Sequence, residues 1–471
     1  MLGGGAGGIA AARAGVRKGA NVSLVQHGPV GGECTFSGCV PSKALIEAAA
    51  AGASFETAIA RVHRAITTIA AAESAEVLAG EGIEVVGGYG SLTSPRTIEV
   101  GGRSLSADRM IIATGAGPVV PPIEGLSDID YLTNENLWDL RSLPASLAIL
   151  GGGAIGVELA QAFARLGSEV TLIEGQDRLL PREEPEASAV LAQVFREEGI
   201  DLQLGQLVTR VEATGGSGAG AAGGSGAGGV RLHLSGGGTV EAARIVVAVG
   251  RKPRTTGFGL EVARVVTDAK GFVVTDDHLA TTTKGIWAVG DVTGKLAFTH
   301  AADEMGRIAA ANALSRYSRR KFRPASIPWV TFTSPEVARV GATEADAASD
   351  RPGARVAWLP MTALDRAVAA NQTAGFVKLV VGPRPLLRNL AGGRVLGATV
   401  MAERGGEMMA EVALAMRTKM FPARLALTPH AYPTWSVAIQ EAAAQLFIEV
   451  NGRRARPAAP VEPAAPVEPK G

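Results

Sequence analysis

Cysteine is nearly absent: the 471 residues contain two, Cys34 and Cys39. That scarcity excludes a disulfide-stapled scaffold, which needs cysteines at high density. An excess of either charge is lacking too. Lys and Arg number 46 against 45 Asp and Glu, a formal net charge of +1. This excludes the basic footprint expected of a nucleic-acid or anionic-membrane binder. No run of about 18 apolar residues occurs and no basic–apolar–small leader opens the chain, so the expectation is a soluble, cytoplasmic protein without an export signal. No residue set is assigned to a metal. The length suffices for about two to four domains with large cores.

What is present begins with the cysteines. They lie in Gly31-Gly32-Glu33-Cys34-Thr35-Phe36-Ser37-Gly38-Cys39-Val40-Pro41-Ser42-Lys43. In a regular α-helix, positions five apart have Cα atoms roughly 8.6 Å apart, whereas a disulfide needs about 4.4–6.8 Å. The pair closes only if Cys34 sits in a distorted turn just before the helix proper, with Gly38 supplying backbone freedom. Pro41 suits the first turn of a helix running through Lys43. Cys39 then lies at that helix's amino end, where the dipole stabilises a thiolate. So short a loop adds little chain-entropy stabilisation. Considered alone, the pair reads equally as a redox couple or as inert or structural cysteines.

With its flanking glycines and Gly-Cys-Val-Pro-Ser-Lys, the stretch resembles the redox-active motif of the flavin-dependent pyridine nucleotide–disulfide oxidoreductases. Dihydrolipoamide dehydrogenase, glutathione reductase and mercuric reductase are members. The resemblance covers residues 1 to about 450. It implies an α/β fold with two Rossmann-like nucleotide-binding domains, for FAD and NAD(P), plus a C-terminal α+β dimerisation domain. It also implies a homodimer, hydride transfer from NAD(P)H to the flavin, and passage of electrons to a Cys34–Cys39 disulfide. Cys39 would be the flavin-proximal charge-transfer thiol and Cys34 the interchange thiol. Lys43 would sit by the flavin, paired with Glu158.

The nucleotide signatures follow. Gly3, Gly5 and Gly8 make a first GxGxxG, with an Ala-rich helical stretch and the strand Val22–Val25 after it. Such glycines let the backbone approach a pyrophosphate at a helix amino end. Only Met1 and Leu2 precede them, so the first strand is either nearly missing or lies upstream. The acid expected to hold an adenosine ribose is Gln26, which hydrogen-bonds a hydroxyl without the charge. Residues 54–79 read as one long helix with Val62, Ile66 and Ile69 on its packed face. By resemblance, Gly32, Gly90, Thr114, Gly115 and Asp291 are further FAD contacts. A second GxGxxG at Gly151, Gly153 and Gly156 has its full strand–glycine–helix–strand context and ends at Glu174, where an acid takes the ribose 2′-OH of NAD. Glu174 favours NADH, while Arg178 and Arg182 leave NADPH open. Gly250 opens the family turn over the nicotinamide cofactor.

The expected domains are 1–144 and 256–325 for FAD, 145–255 for NAD(P), and 326–452 for the interface. Strands around 203–211 and 230–234 flank a flexible Gly-rich hairpin tip at 213–229, and a disordered Pro-rich tail fills 453–471. In dihydrolipoamide dehydrogenase and glutathione reductase, His-Pro-Thr carries the catalytic acid–base, with a Glu five positions later. Here those positions hold Tyr432 and Val437, while His430 matches an earlier family His. Mercuric reductases carry a Tyr there and resemble this chain more, though they use carboxyl-terminal thiols and no cysteine follows Cys39. Tyr432 of the partner subunit would line the disulfide. Three functions stay open. One is a mercuric-reductase-like oxidoreductase with a small-molecule or disulfide acceptor, and another a dihydrolipoamide dehydrogenase using His430 as a displaced base. The last is an FAD-bearing redox sensor without turnover.

Overall fold

The computed structural model describes residues 1–214, 228–315, 317 and 319–460. Helix α1 (Ala6–Val16), strand β1 (Val22–Gln26), helix α2 (Gly32–Phe36) and helix α3 (Cys39–Ala50) open a parallel α/β unit. Its sheet pairs β1 with Ile83–Gly87 and Met110–Ile112 with Ile286–Ala288. Leu2 joins the two halves by parallel bridges to Val25 and Ile112. Leu2 N donates to Ile111 O and Gly3 N to Val25 O, each at 2.9 Å. Leu2 thus takes the position of the strand expected before the first glycine motif.

The second unit has a four-stranded parallel sheet in the order Asp201–Leu204, Glu169–Glu174, Ser146–Leu150, Arg244–Val247. The chain leaves the first unit along Ala116–Pro118 and returns along Arg251–Pro253, and these two crossing strands pair antiparallel. The third unit is a six-stranded antiparallel sheet running from Trp329–Thr331 to Arg456–Pro457, backed by Gly405–Arg417 and Val437–Ala444. Its core is Val, Ile, Leu and Met from both sheet and helices, including Val377, Val400, Met409 and Ile439.

Several boundaries differ from expectation. Residues 54–79 form two helices, α4 (Phe55–Ala72) and Ala75–Gly80, because the Ser74 hydroxyl caps the second by accepting from Val77 N. Val62 is buried, but Ile69 is 39% exposed and does not face the core. The strand expected at 203–211 is two, Asp201–Leu204 and Val208–Thr214, the latter pairing with Gly229–Leu234. Of the Gly-rich tip, 215–227 lie outside the described residues, as do 461–471 of the expected tail. The tail's beginning is ordered instead: Arg456–Pro457 pairs with Arg355–Pro360, and Arg456 forms an ion pair with Glu344.

Candidate functional site

Cys34 lies inside the five-residue helix α2 and not in the expected distorted turn, and the break falls between the two helices. Helix α2 ends at Phe36, Gly38 breaks the backbone at φ −113° and ψ −110°, and α3 starts on Cys39. Both thiols line the same cleft. Both are free cysteines. The Cys39 Sγ also lies 3.4 Å from Thr299 Oγ1, the first residue of the helix Thr299–Leu314. Hydrogen bonding from Cys34 and Thr299, together with the Lys43 charge, pushes the Cys39 thiol down to about 6 against burial. The proton retained between the sulfurs, with burial, pushes Cys34 upward. Replacing the hydroxyl by a methyl in Thr299→Val removes one donor to the thiolate. The expected result is a Cys39 pKa raised by about one unit, the equivalent of one hydrogen bond, read from thiolate absorbance against pH.

Lys43, one turn into α3, places Nζ 2.8 Å from Glu158 Oε2 and 4.6 Å over the Phe332 ring. Glu158 is 5% exposed and also accepts from Phe332 N at 2.8 Å, so its charge is fully engaged. One residue pair thus links all three units.

These groups line a cleft of about 2130 Å³ that also contains both glycine loops. Gly31 and Gly32 adopt φ of 126° and 67°, which favours glycine at both. A Cβ on Gly32 would sit 2.7 Å from Gly5 Cα, so the redox segment packs straight onto the first loop. Gln26 and Glu174 occupy equivalent places in the two nucleotide folds. Gln26 Oε1 accepts from Gly4 N at 2.7 Å, and Glu174 Oε2 from Gly152 N at 2.6 Å. The Gln26 amide nitrogen is spent on the carbonyls of His27 and Pro29, whereas Glu174 keeps free lone pairs on two oxygens.

Of the remaining expected residues, Gly3, Gly5, Gly151, Gly153, Thr114, Gly115, Gly250 and Asp291 also line the cleft. Gly8 and Gly156 do not: a Cβ on either would strike the carbonyl oxygen of Gly3 or Gly151, so they serve helix–strand packing. Gly90 is likewise packed beneath Leu2 and Val25, away from the cleft wall. His430 and Tyr432 lie outside the cleft within the protomer. His430 Nε2 meets Glu411 Oε2 at 3.0 Å and Nδ1 meets Thr428 O at 2.8 Å. Tyr432 is 73% exposed and donates to Asp365 Oδ2 at 2.8 Å, which raises its pKa further above that of an efficient base.

Sequence reasoning missed Thr299, Glu33, Asn134 and Arg251. Arg251 pairs with Glu33 and with Asp291, and its buried Nε has no partner among the described residues. A spare donor beside Asp291 and a glycine cradle at a helix start are what a flavin dinucleotide's hydroxyls and phosphates require. For Thr299 the available signal was its place at the amino end of the helix Thr299–Leu314. For Glu33 there was none.

Comparison with known proteins agrees with this geometry. The family model for pyridine nucleotide-disulphide oxidoreductases matches residues 1–306, and the model for that family's dimerisation domain matches 327–443. A mercuric reductase of Streptomyces lividans is 36% identical over 94% of this chain and 94% of its own length. A dihydrolipoyl dehydrogenase of Thermus scotoductus is 34% identical over 95% and 96%. The chain spans 66% of the length of a Bacillus cereus mercuric reductase at 33% identity. Among solved structures, the Cu(II) complex of the HOCl-induced flavoprotein disulfide reductase RclA of Escherichia coli superposes with a TM-score of 0.84. It is 29% identical and covers 94% of this chain and 98% of its own. No helix among the described residues is long and apolar enough to cross a membrane, and no His, Cys, Asp and Glu group among them is arranged to hold a metal ion. The two family models together take in most of the chain, and the chain belongs to the pyridine nucleotide–disulphide oxidoreductase family of FAD-dependent enzymes.

Proposed function

We propose that this protein is an NADH-dependent flavoprotein oxidoreductase. Two electrons reach a Cys34–Cys39 disulfide and leave through it to a small oxidised acceptor: a disulfide, a quinone or a soft metal ion. The carrying observation is the Cys39 thiol, held near a pKa of about 6 in one cleft with both dinucleotide loops. Reduction of the disulfide takes up two electrons and one proton, leaving a thiolate on Cys39 and a thiol on Cys34. Reoxidation returns both electrons and that proton to the acceptor. FAD, when bound, supplies the conversion of a hydride into electrons that sulfur accepts. The first glycine loop, Asp291, Arg251 and Lys43 would hold it, and the second loop with Glu174 would hold the nicotinamide dinucleotide.

NADH is favoured because both Glu174 oxygens face the ribose end of the second loop, where a 2′-phosphate would be repelled. Arg178 is spent on its own loop, donating to Pro181 O at 2.7 Å. A soft metal belongs among the acceptors because a thiolate is a soft donor and because RclA was solved as a Cu(II) complex. Dihydrolipoamide turnover by a displaced His430 has less support, since both ring nitrogens are already engaged. A homodimer is supported by the dimerisation-domain match. Anaerobic titration with NADH tests the reading. Flavin reduction followed by a long-wavelength thiolate-to-flavin absorbance is expected, and no flavin reduction at saturating NADH refutes it.

Gln26 has its own expected result. Its oxygen retains one lone pair for a ribose hydroxyl, against the several a carboxylate offers. Gln26→Glu should therefore tighten FAD by about tenfold, as a charged acceptor adds about 1.4 kcal/mol over a neutral one. The measurement is flavin fluorescence on dilution, and unchanged affinity refutes this account of Gln26.

A further inference from the structure

Glu33 precedes Cys34, and its carboxylate reaches away from the redox segment. Both oxygens pair with the Arg251 guanidinium, and Oε1 also accepts from Asn134 Nδ2 at 2.9 Å. Arg251 begins the returning crossover strand, and its Nη2 is shared with Asp291 Oδ2 at 3.0 Å and Ala116 O at 3.2 Å. Two carboxylates thus compete for one guanidinium, only 22% exposed and therefore poorly screened. One carboxylate belongs to the cysteine segment. The other lies in the turn Gly290–Thr293 that follows the strand Ile286–Ala288.

We propose that Glu33, Arg251 and Asp291 form a relay through which the oxidation state of Cys34 and Cys39 sets the affinity of the flavin site. Glu33 is a positioning residue acting through Arg251. This rests on the functional reading above. On oxidation the Cys39 thiolate and the Cys34 thiol lose two electrons and one proton to a disulfide oxidant, which takes a second proton from solvent and leaves as a dithiol, and a sulfur–sulfur bond of about 2.05 Å forms. Closing that bond from thiol contact draws Cys34 toward Cys39. Glu33 moves with it, being the adjacent residue in the five-residue helix α2. A fork-to-fork carboxylate–guanidinium pair is directional, so the shift alters how much of Arg251 remains for Asp291. By thermodynamic reciprocity, FAD must shift the dithiol's oxidation equilibrium by the same factor.

The test uses the full chain, held oxidised with oxidised dithiothreitol or reduced with dithiothreitol. FAD Kd is read from flavin fluorescence, and the midpoint potential of the cysteine pair is read with and without FAD. Wild type should show Kd values differing at least about fivefold between the two states, a tenfold ratio corresponding to about 30 mV in the potential. Glu33→Gln keeps the shape and loses the charge, and should collapse the ratio to within about twofold. Glu33→Asp should retain part of it, and Arg251→Lys, which cannot serve both carboxylates in a fork, should lose it. Because each variant is judged by a ratio, a uniform loss of affinity cancels. Equal Kd values in both states of wild type, or a wild-type ratio in Glu33→Gln, overturn the relay while leaving the functional reading intact. Wild-type protein that binds FAD in neither state overturns both.

Discussion

Cys39→Ser abolishes the long-wavelength thiolate-to-flavin absorbance on anaerobic reduction with NADH, while Cys34→Ser keeps it. The asymmetry follows from where the charge rests. At about pH 7 a thiol with a pKa of about 6 is roughly 90% ionised, whereas an ordinary thiol near 8.5 is only about 3% ionised. Cys39 owes its low value to hydrogen bonds from Cys34 and Thr299 and to the Lys43 charge, and the hydroxyl introduced by Cys34→Ser is still a donor. Cys34 is pushed the other way and holds the proton. Both variants lose the disulfide, so turnover with any acceptor that depends on it falls to background. Flavin reduction by NADH survives in both, separating the hydride step from the sulfur step. A band that persists in Cys39→Ser reverses the thiol assignment; a band absent from Cys34→Ser shows that the lowered pKa does not survive without the second sulfur.

The parts of this site legible in the sequence are those that depend on local spacing. Cys34 and Cys39 are five apart and need a broken helix between them, which Gly38 provides. Lys43 sits one turn beyond Cys39, and Glu158 one turn beyond the second glycine loop, so each is placed by its own helix and the family resemblance pairs them. The pair stands at 2.8 Å. Glu33, Asn134, Arg251 and Asp291 lie far apart in the chain, and the crossover strands that gather them leave no periodic trace in composition. Leu2 teaches the converse. A strand of minimal length has no alternation to detect, yet two parallel bridges place it in the middle of the sheet. Arg456 reads as part of a Pro-rich tail because composition is blind to a single buried carboxylate, Glu344, waiting for it. Ile69 fails for the opposite reason, since helical periodicity predicts a face but not where the opposing surface ends.

The largest expected stability change lies away from the cleft, at Lys378. It is fully buried in the strand Phe376–Gly382 of the third unit, with Nζ 3.1 Å from Glu184, 2.6 Å from Glu186 and 3.0 Å from Glu344. Glu184 and Glu186 stand at the start of the second unit's helix Pro185–Glu197, so one ammonium joins the second unit to the third. Glu184 and Glu344 are themselves 1% and 2% exposed. Lys378→Ala leaves Glu184 without its cation in a site water does not reach, while Glu344 keeps Arg456. Breaking a buried pair from one side costs about 3–5 kcal/mol. Lys378→Met restores the volume and should recover only the packing part of the loss, which separates cavity from charge. Burial already raises the Glu184 pKa against the pull of Lys378, and without the lysine it rises further above its unfolded value. A carboxylate whose folded pKa is raised costs stability above that pKa and ceases to do so as it protonates. The deficit should therefore narrow as pH falls from about 7 to about 5. Chemical denaturation followed by tryptophan fluorescence measures it, and a Lys378→Ala loss below about 1 kcal/mol at neutral pH would show that water or a rotated carboxylate relieves the cluster.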